Sequence, residues 1–165
     1  AVASGVGFQI GNTAHLDGFE NALLEETLTH GAGDIRGEPT VIATDMDPTS
    51  VDVARSNMAS NTAPGRIATH VATGLAHPKL RRTAKFDFVV ANILADPLIR
   101  LARDIRRIMS PRGKLVLSGI LIPQAPAVIA AFAAQGFALD RHDRVTGWST
   151  LTLIKRRGAP ARRAA

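Results

Sequence analysis

The sequence predicts an α/β fold whose sheet is mostly parallel and closes with an antiparallel hairpin at the C-terminal end. Three observations carry this. From residue 40 onward short apolar runs rich in Val, Ile and Leu alternate with segments of helical period. That alternation implies right-handed βαβ units and parallel strands. The last two segments, "FALDRHDRV" and "WSTLTLIKR", read as a strand pair joined by a tight Thr-Gly turn, which places an antiparallel strand on the sheet.

At 165 residues with 45% hydrophobic content the chain is long enough for one domain with a real core. We expect a single domain over residues 1–157 and a basic, disordered tail over 158–165. There is no cysteine, which removes disulfides and thiolate metal sites and agrees with a cytoplasmic setting. No apolar run nears the roughly 20 residues of a membrane span, and no signal peptide is visible. Net charge is +6, but the cations are scattered over helix faces and gathered in "KRRGAPARRAA". A dispersed positive charge reads as a solvated surface. With 4% aromatics and no tyrosine, a base-stacking platform is poorly supported, so neither nucleic-acid binding nor a membrane partner is expected. The chain begins at Ala1 rather than Met, as a fragment would.

Residues 1–39 are irregular. "AVASGVGFQIGN" carries Gly5, Gly7 and Gly11, "FENALLEETLTH" has a helical pattern, and "GAGDIRGEP" reads as a loop. A glycine loop between a strand and a helix can bring backbone amides against a ligand, but here no acidic residue accompanies it. Asp45 follows Gly7 by far more than the roughly 20 residues of a dinucleotide fingerprint. An insertion or a foreign stretch over residues 8–39 would explain the spacing.

The regular part reads in order: "TVIATD" strand, "PTSVDVARSNMASN" helix, "RIATHVA" strand, a Gly, His and Pro loop with a short helix, and "FDFVVAN" strand. A helix with Leu98, Leu101, Ala102, Ile105, Ile108 and Met109 at helical spacing follows. Then come "KLVLSGI" as a strand, "PQAPAVIAAFAAQG" as a helix ended by Gly136, and the hairpin.

In open α/β sheets ligands sit outside the carboxyl ends of the strands, where strand order reverses. Two strand ends there carry a polar residue beyond what helix capping needs. In "ATDMDP", Asp47 before Pro48 is the natural cap, which leaves Asp45 able to take hydrogen bonds from both hydroxyls of a ribose. Met46 beside it can lie flat on an adenine ring. In "ANILADP", Asp96 before Pro97 is expected to cap, which leaves Asn92 spare. Each has a plainer reading, a solvated turn carboxylate and an asparagine bonding its own turn.

Other chemistry is disfavoured. His15, His30, His70, His77 and His142 show no metal-binding spacing and read as surface or turn residues. Ser118 lies in "LSGI" without a nucleophile elbow, and there is no P-loop. Trp148 is expected to cover the hairpin's apolar face.

"VIATDMDPTSVDVARSNMASN", "FDFVVANILADPLIRLA", "KLVLSGIL" and "GFALDRHDRVTGWSTLTL" together resemble the catalytic domain of the bacterial ribosomal protein L11 methyltransferase family. The likeness runs unbroken from about residue 40 to residue 155. "ANILADPL" is the most specific piece, since related methyltransferases mostly show Asn-Pro-Pro-aromatic there. The resemblance implies a Rossmann-like, class I methyltransferase that uses S-adenosylmethionine and methylates amino groups, on lysine or a chain N-terminus, of a large-subunit ribosomal protein. It casts Asp45 as the ribose carboxylate, Met46 as the adenine neighbour and Leu75 as a residue near the adenine edge. Asn92 becomes the active-site asparagine and Ile93 its backbone companion, with Gly5 and Gly7 the only candidates for the cofactor's glycine loop. The family's acidic glycine loop and its N-terminal substrate-gripping domain are not seen in this sequence. A non-catalytic, degenerate fragment and a methyltransferase for another protein or a small molecule are the alternatives.

Overall fold

The computed structural model describes residues 5–9, 40–61, 67–82 and 85–158. The expected helix in "FENALLEETLTH", the "GAGDIRGEP" loop, Gly11, His15, His30 and residues 159–165 lie outside the described residues. Seven strands form one sheet: β1 (Gly5–Gln9), β2 (Thr40–Asp45), β3 (Ile67–Val71), β4 (Phe86–Asn92), β5 (Met109–Leu121), β6 (Phe137–Val145) and β7 (Trp148–Lys155). Their order is β3-β2-β1-β4-β5-β7-β6, parallel except where β7 pairs with β5 and β6. The strand order reverses between β1 and β4, which puts the switch point at the end of β1.

The helices are α1 (Pro48–Asn61), α2 (Pro78–Arg82), α3 (Ala95–Ile108) and α4 (Ala125–Ala134), the last preceded by a single turn of 3₁₀ helix over Ile122–Gln124. Asp47 caps α1 as its position before Pro48 implies: its carboxylate accepts from the amides of Thr49 and Ser50 at 3.1 Å each and from Ser50 Oγ at 2.9 Å. These bonds hold the Asp47 carboxyl below its ordinary range, the Ser50 hydroxyl contributing most.

The Asp-Pro pair before α3 behaves differently. That helix starts at Ala95, Leu94 is its N-cap residue without any side-chain cap, and Asp96 and Pro97 lie in the first turn. The reason is burial. Ala95, Leu98, Ala102 and Ile105 form one buried stripe at helical spacing, and seating Ala95 on it winds the helix before Asp96. Asp96 therefore does not cap, though its charge still suits the N-terminal turn.

Gly5 and Gly7 are not in a loop. Both lie within β1, in the middle of the sheet, opposite Thr40 and Ile42 on one side and Phe86 and Val89 on the other. Their backbone belongs to the strand ladders, so they are not the amide cradle of a glycine loop.

The core packs α3 and α4 against β4, β5 and β7. Phe86, Leu98, Leu115, Leu117, Phe132 and Leu153 are all buried in it. Phe132 meets Phe137 edge-to-face at 5.5 Å. Gly136 ends α4 at φ +81, its amide donating to Ala133 O at 2.9 Å. Trp148 does not seal this core. It opens β7 about half exposed, opposite Leu121 and Val145. No helix among the described residues is long and apolar enough to cross a membrane.

Candidate active site at the carboxyl edge of the sheet

Asp45 and Asn92 end the two strands that flank β1. Gln9, the last residue of β1, pairs with Thr44 on one side and Ala91 on the other. Asp45 and Asn92 are each one residue further on. They stand at one level on either side of the crevice, about 10 Å apart from two strand spacings of about 4.8 Å.

Asp45 is 5% exposed. Its Oδ1 accepts the Asp47 amide at 2.8 Å, while Oδ2 is buried with no partner among the described residues. Its backbone carbonyl takes the Ala72 amide at 2.8 Å, which ties the ends of β2 and β3 together. A buried carboxylate oxygen without a donor is costly, so this one is fitted to receive a hydroxyl from a ligand. Met46 next to it is 70% exposed at the rim.

On the other side Asn92 is level with Ser118 of β5. Its side chain makes no hydrogen bond among the described residues, so it caps nothing, even though Asp96 leaves that task open. Its Oδ1 and the carbonyl oxygen of Ile93 each lie 2.9 Å from one point, the position a Cβ would take on Gly119. Two acceptors therefore converge over a glycine. Ser118 is buried, and its Oγ has no partner among the described residues. The sequence set Ser118 aside for want of a nucleophile elbow and did not single out Gly119, the only local signal being a Ser-Gly pair at the end of an apolar strand.

Leu75 follows Ala72, whose amide is bonded to the Asp45 carbonyl, by three residues. It packs on the core and lines a cleft of about 590 Å³ with Leu80, Leu101 and Ile108, a different space from the one Asp45 lines. His70, His77 and His142 are not plain surface residues. His70 and His77 stack at 4.1 Å with His70 Nε2 buried and unpartnered among the described residues, and His142 Nε2 lies 3.0 Å from Ser149 Oγ. No group of three metal-ligating side chains occurs among the described residues.

A seven-stranded sheet of this order, its last strand reversed and its polar residues at the ends of β2 and β4, is the class I methyltransferase fold. The model of the ribosomal protein L11 methyltransferase family, PrmA, matches residues 32–156, and the chain belongs to that family. A ribosomal protein L11 methyltransferase of Bradyrhizobium diazoefficiens is 47% identical over 115 residues, covering 70% of this chain and 39% of the relative. The crystal structure of a ribosomal protein L11 methylase from Lactobacillus delbrueckii subsp. bulgaricus superposes with TM-score 0.66 at 27% identity, over 93% of this chain and 70% of that one. TrmK of M. capricolum, solved in complex with S-adenosylhomocysteine, shares the fold at TM-score 0.60 and 12% identity, over 93% of this chain and 62% of that one. The chain spans about two fifths of the length of the curated relatives it matches.

Proposed function

We propose that this chain is the catalytic domain of an S-adenosylmethionine-dependent protein N-methyltransferase, with ribosomal protein L11 as its substrate. The observation that carries the reading is the unpartnered Asp45 Oδ2, level with Asn92 across the switch point. Family membership and the names of the relatives support the substrate.

S-adenosylmethionine, when bound, supplies a methyl group on a positively charged sulfur. Asp45 receives the ribose hydroxyls, its charge making both bonds strong. Met46 gives the adenine an apolar wall, with Leu75 near its edge. Asn92 Oδ1 and Ile93 O accept the two N–H groups of a neutral amine, which turns the nitrogen lone pair away from them and toward the methyl. The chemistry the cofactor would supply is methyl transfer to that nitrogen, with the pair of the broken C–S bond staying on sulfur, and Asn92 and Ile93 would only align the amine. Neither acceptor can take a proton, so the amine arrives neutral and the methylated nitrogen releases its surplus proton to water.

Calorimetric titration of the chain with S-adenosylhomocysteine, with Asp45→Ala in parallel, tests the cofactor half. Binding that Asp45→Ala abolishes is the expected result. A folded chain that takes up no S-adenosylhomocysteine overturns the reading. Transfer of labelled methyl to purified L11 then tests the substrate.

A further inference from the structure

We infer that Gly119 is a positioning and specificity-determining residue, the floor of a seat for a primary amine; this rests on the reading that Asn92 and Ile93 receive an amine. The argument begins with the sheet. Along β5 and β7 the register runs from Leu117 opposite Leu151 to Ile120 opposite Ser149, so Ser118 and Gly119 together face the single residue Thr150. One extra residue on β5 is a β-bulge, and Gly119 within it has φ +76, in the left-handed region. A bulge unpairs backbone and re-aims the residues around it.

What this bulge re-aims is the bare Cα of Gly119. It is turned toward Asn92 Oδ1 and Ile93 O, both 2.9 Å from where a Cβ would stand. Any other residue would push its side chain between two acceptor oxygens. That point is only one C–C bond, about 1.5 Å, from the Gly119 Cα, so the glycine itself lies close under both oxygens and a donor must reach them from the side away from it. The left-handed backbone alone does not require this arrangement. Gly147 has φ +89 and nothing within 4 Å of its would-be Cβ, so the two glycines share the backbone need and differ in what lies over them. Ser118 adds an independent sign of a built site, a hydroxyl more than nine-tenths buried, in register with Asn92 and without a partner among the described residues.

The experiment is an NMR titration of the ¹⁵N-labelled chain with Nα-acetyl-lysine methyl ester, with and without saturating S-adenosylhomocysteine. The signals followed are the Gly119 backbone amide and the Asn92 side-chain amide. Saturable shifts at both are expected, and a titration that moves neither overturns the proposal without requiring any variant. In Gly119→Ala the affinity for the lysine probe should fall by roughly tenfold or more, the worth of one to two hydrogen bonds. S-adenosylhomocysteine should bind that variant as before. Gly147→Ala, which carries the same backbone cost with no obstruction, should keep both affinities. Equal losses of the probe in the two variants would reduce Gly119 to a backbone requirement. Probe binding at Gly119 in a chain that refuses S-adenosylhomocysteine would support the seat and reject the cofactor reading, whereas the converse result would reject the seat alone.

Discussion

Asp45 and Asn92 stand at one level on the strands flanking β1, each a single residue beyond its strand's pairing with Gln9. Asp45 is a buried carboxylate with one oxygen satisfied and one not. Replacing it by asparagine removes a buried charge and so should leave the melting temperature of the free chain unchanged or raised. Affinity for S-adenosylhomocysteine should fall by about tenfold or more, because charged hydrogen bonds of about 1.5–3 kcal/mol each are lost. A lower melting temperature together with unchanged affinity would make Asp45 a structural residue.

Two acceptors that cannot take a proton give the reaction a pH signature. Below the pKa of the acceptor amine, the rate of methyl transfer at low substrate concentration should rise about tenfold per pH unit. The rise should level off near about 8 for a chain N-terminus and near about 10 for a lysine. A rate profile over pH 6–10.5 reads out which amine is used, and a plateau well below both values would reveal a base on the enzyme.

Most of the sheet was legible because its central strands are apolar and α3 between two of them is amphipathic. The bounds of β2, α1 and β4 match the segments read from sequence residue by residue. The cap by Asp47 was equally plain, since an aspartate before a proline that opens a helix has little else to do. The same dipeptide misled at Asp96, where burial of Ala95 outweighs local capping chemistry. Gly5 and Gly7 misled because glycine marks permissive backbone without saying whether neighbouring strands claim it. The Ser118–Gly119 bulge could not be seen at all, since its existence depends on how β7, some thirty residues later, sets its register against β5.

Gly136 should tolerate no side chain. Its φ of +81 disfavours other residues, and a Cβ would lie 2.5 Å from Arg106 Nη1, a group that donates to Gln135 O at the end of α4. Gly136→Ala should cost about 1–2 kcal/mol, seen as a lower urea midpoint with an unchanged slope.

Lys155 closes the far end of α3. Its ammonium donates to Arg106 O at 2.8 Å and to Met109 O, and burial, with Arg106 and Lys85 nearby, holds it below the ordinary lysine range. Lys155→Met fills the same path and donates nothing. It should destabilise the chain by about 1–2 kcal/mol at neutral pH, and no change in the urea midpoint would mean that desolvation already cancels these bonds.

The His70–His77 stack should make the fold acid-sensitive. Burial, then the charges of His77, Lys79 and Arg55, lower the His70 pKa from its ordinary 6.5, so the folded chain holds fewer protons at this site than the unfolded one. Stability from this site is therefore full above pH 6.5 and is lost as pH falls through the folded value. His70→Phe keeps an aromatic ring against His77 and removes the titration. Thermal melts at pH 7.5 and 5.5 should show a smaller acid-induced drop in the variant, with the remainder assigned in part to His142, which burial and Arg144 lower in the same sense.

The position of β7 sets an order of events during synthesis. It lies between β5 and β6, and β6 is at the sheet's edge with β7 as its pairing strand. As the chain emerges from a ribosome, β6 appears first and has no strand to bind. It must wait until Trp148 to Lys155 have followed and threaded between it and β5. A message cut before Trp148 would leave a sheet that stops at β5 with β6 trailing unpaired, so the sheet is completed only once β7 has emerged.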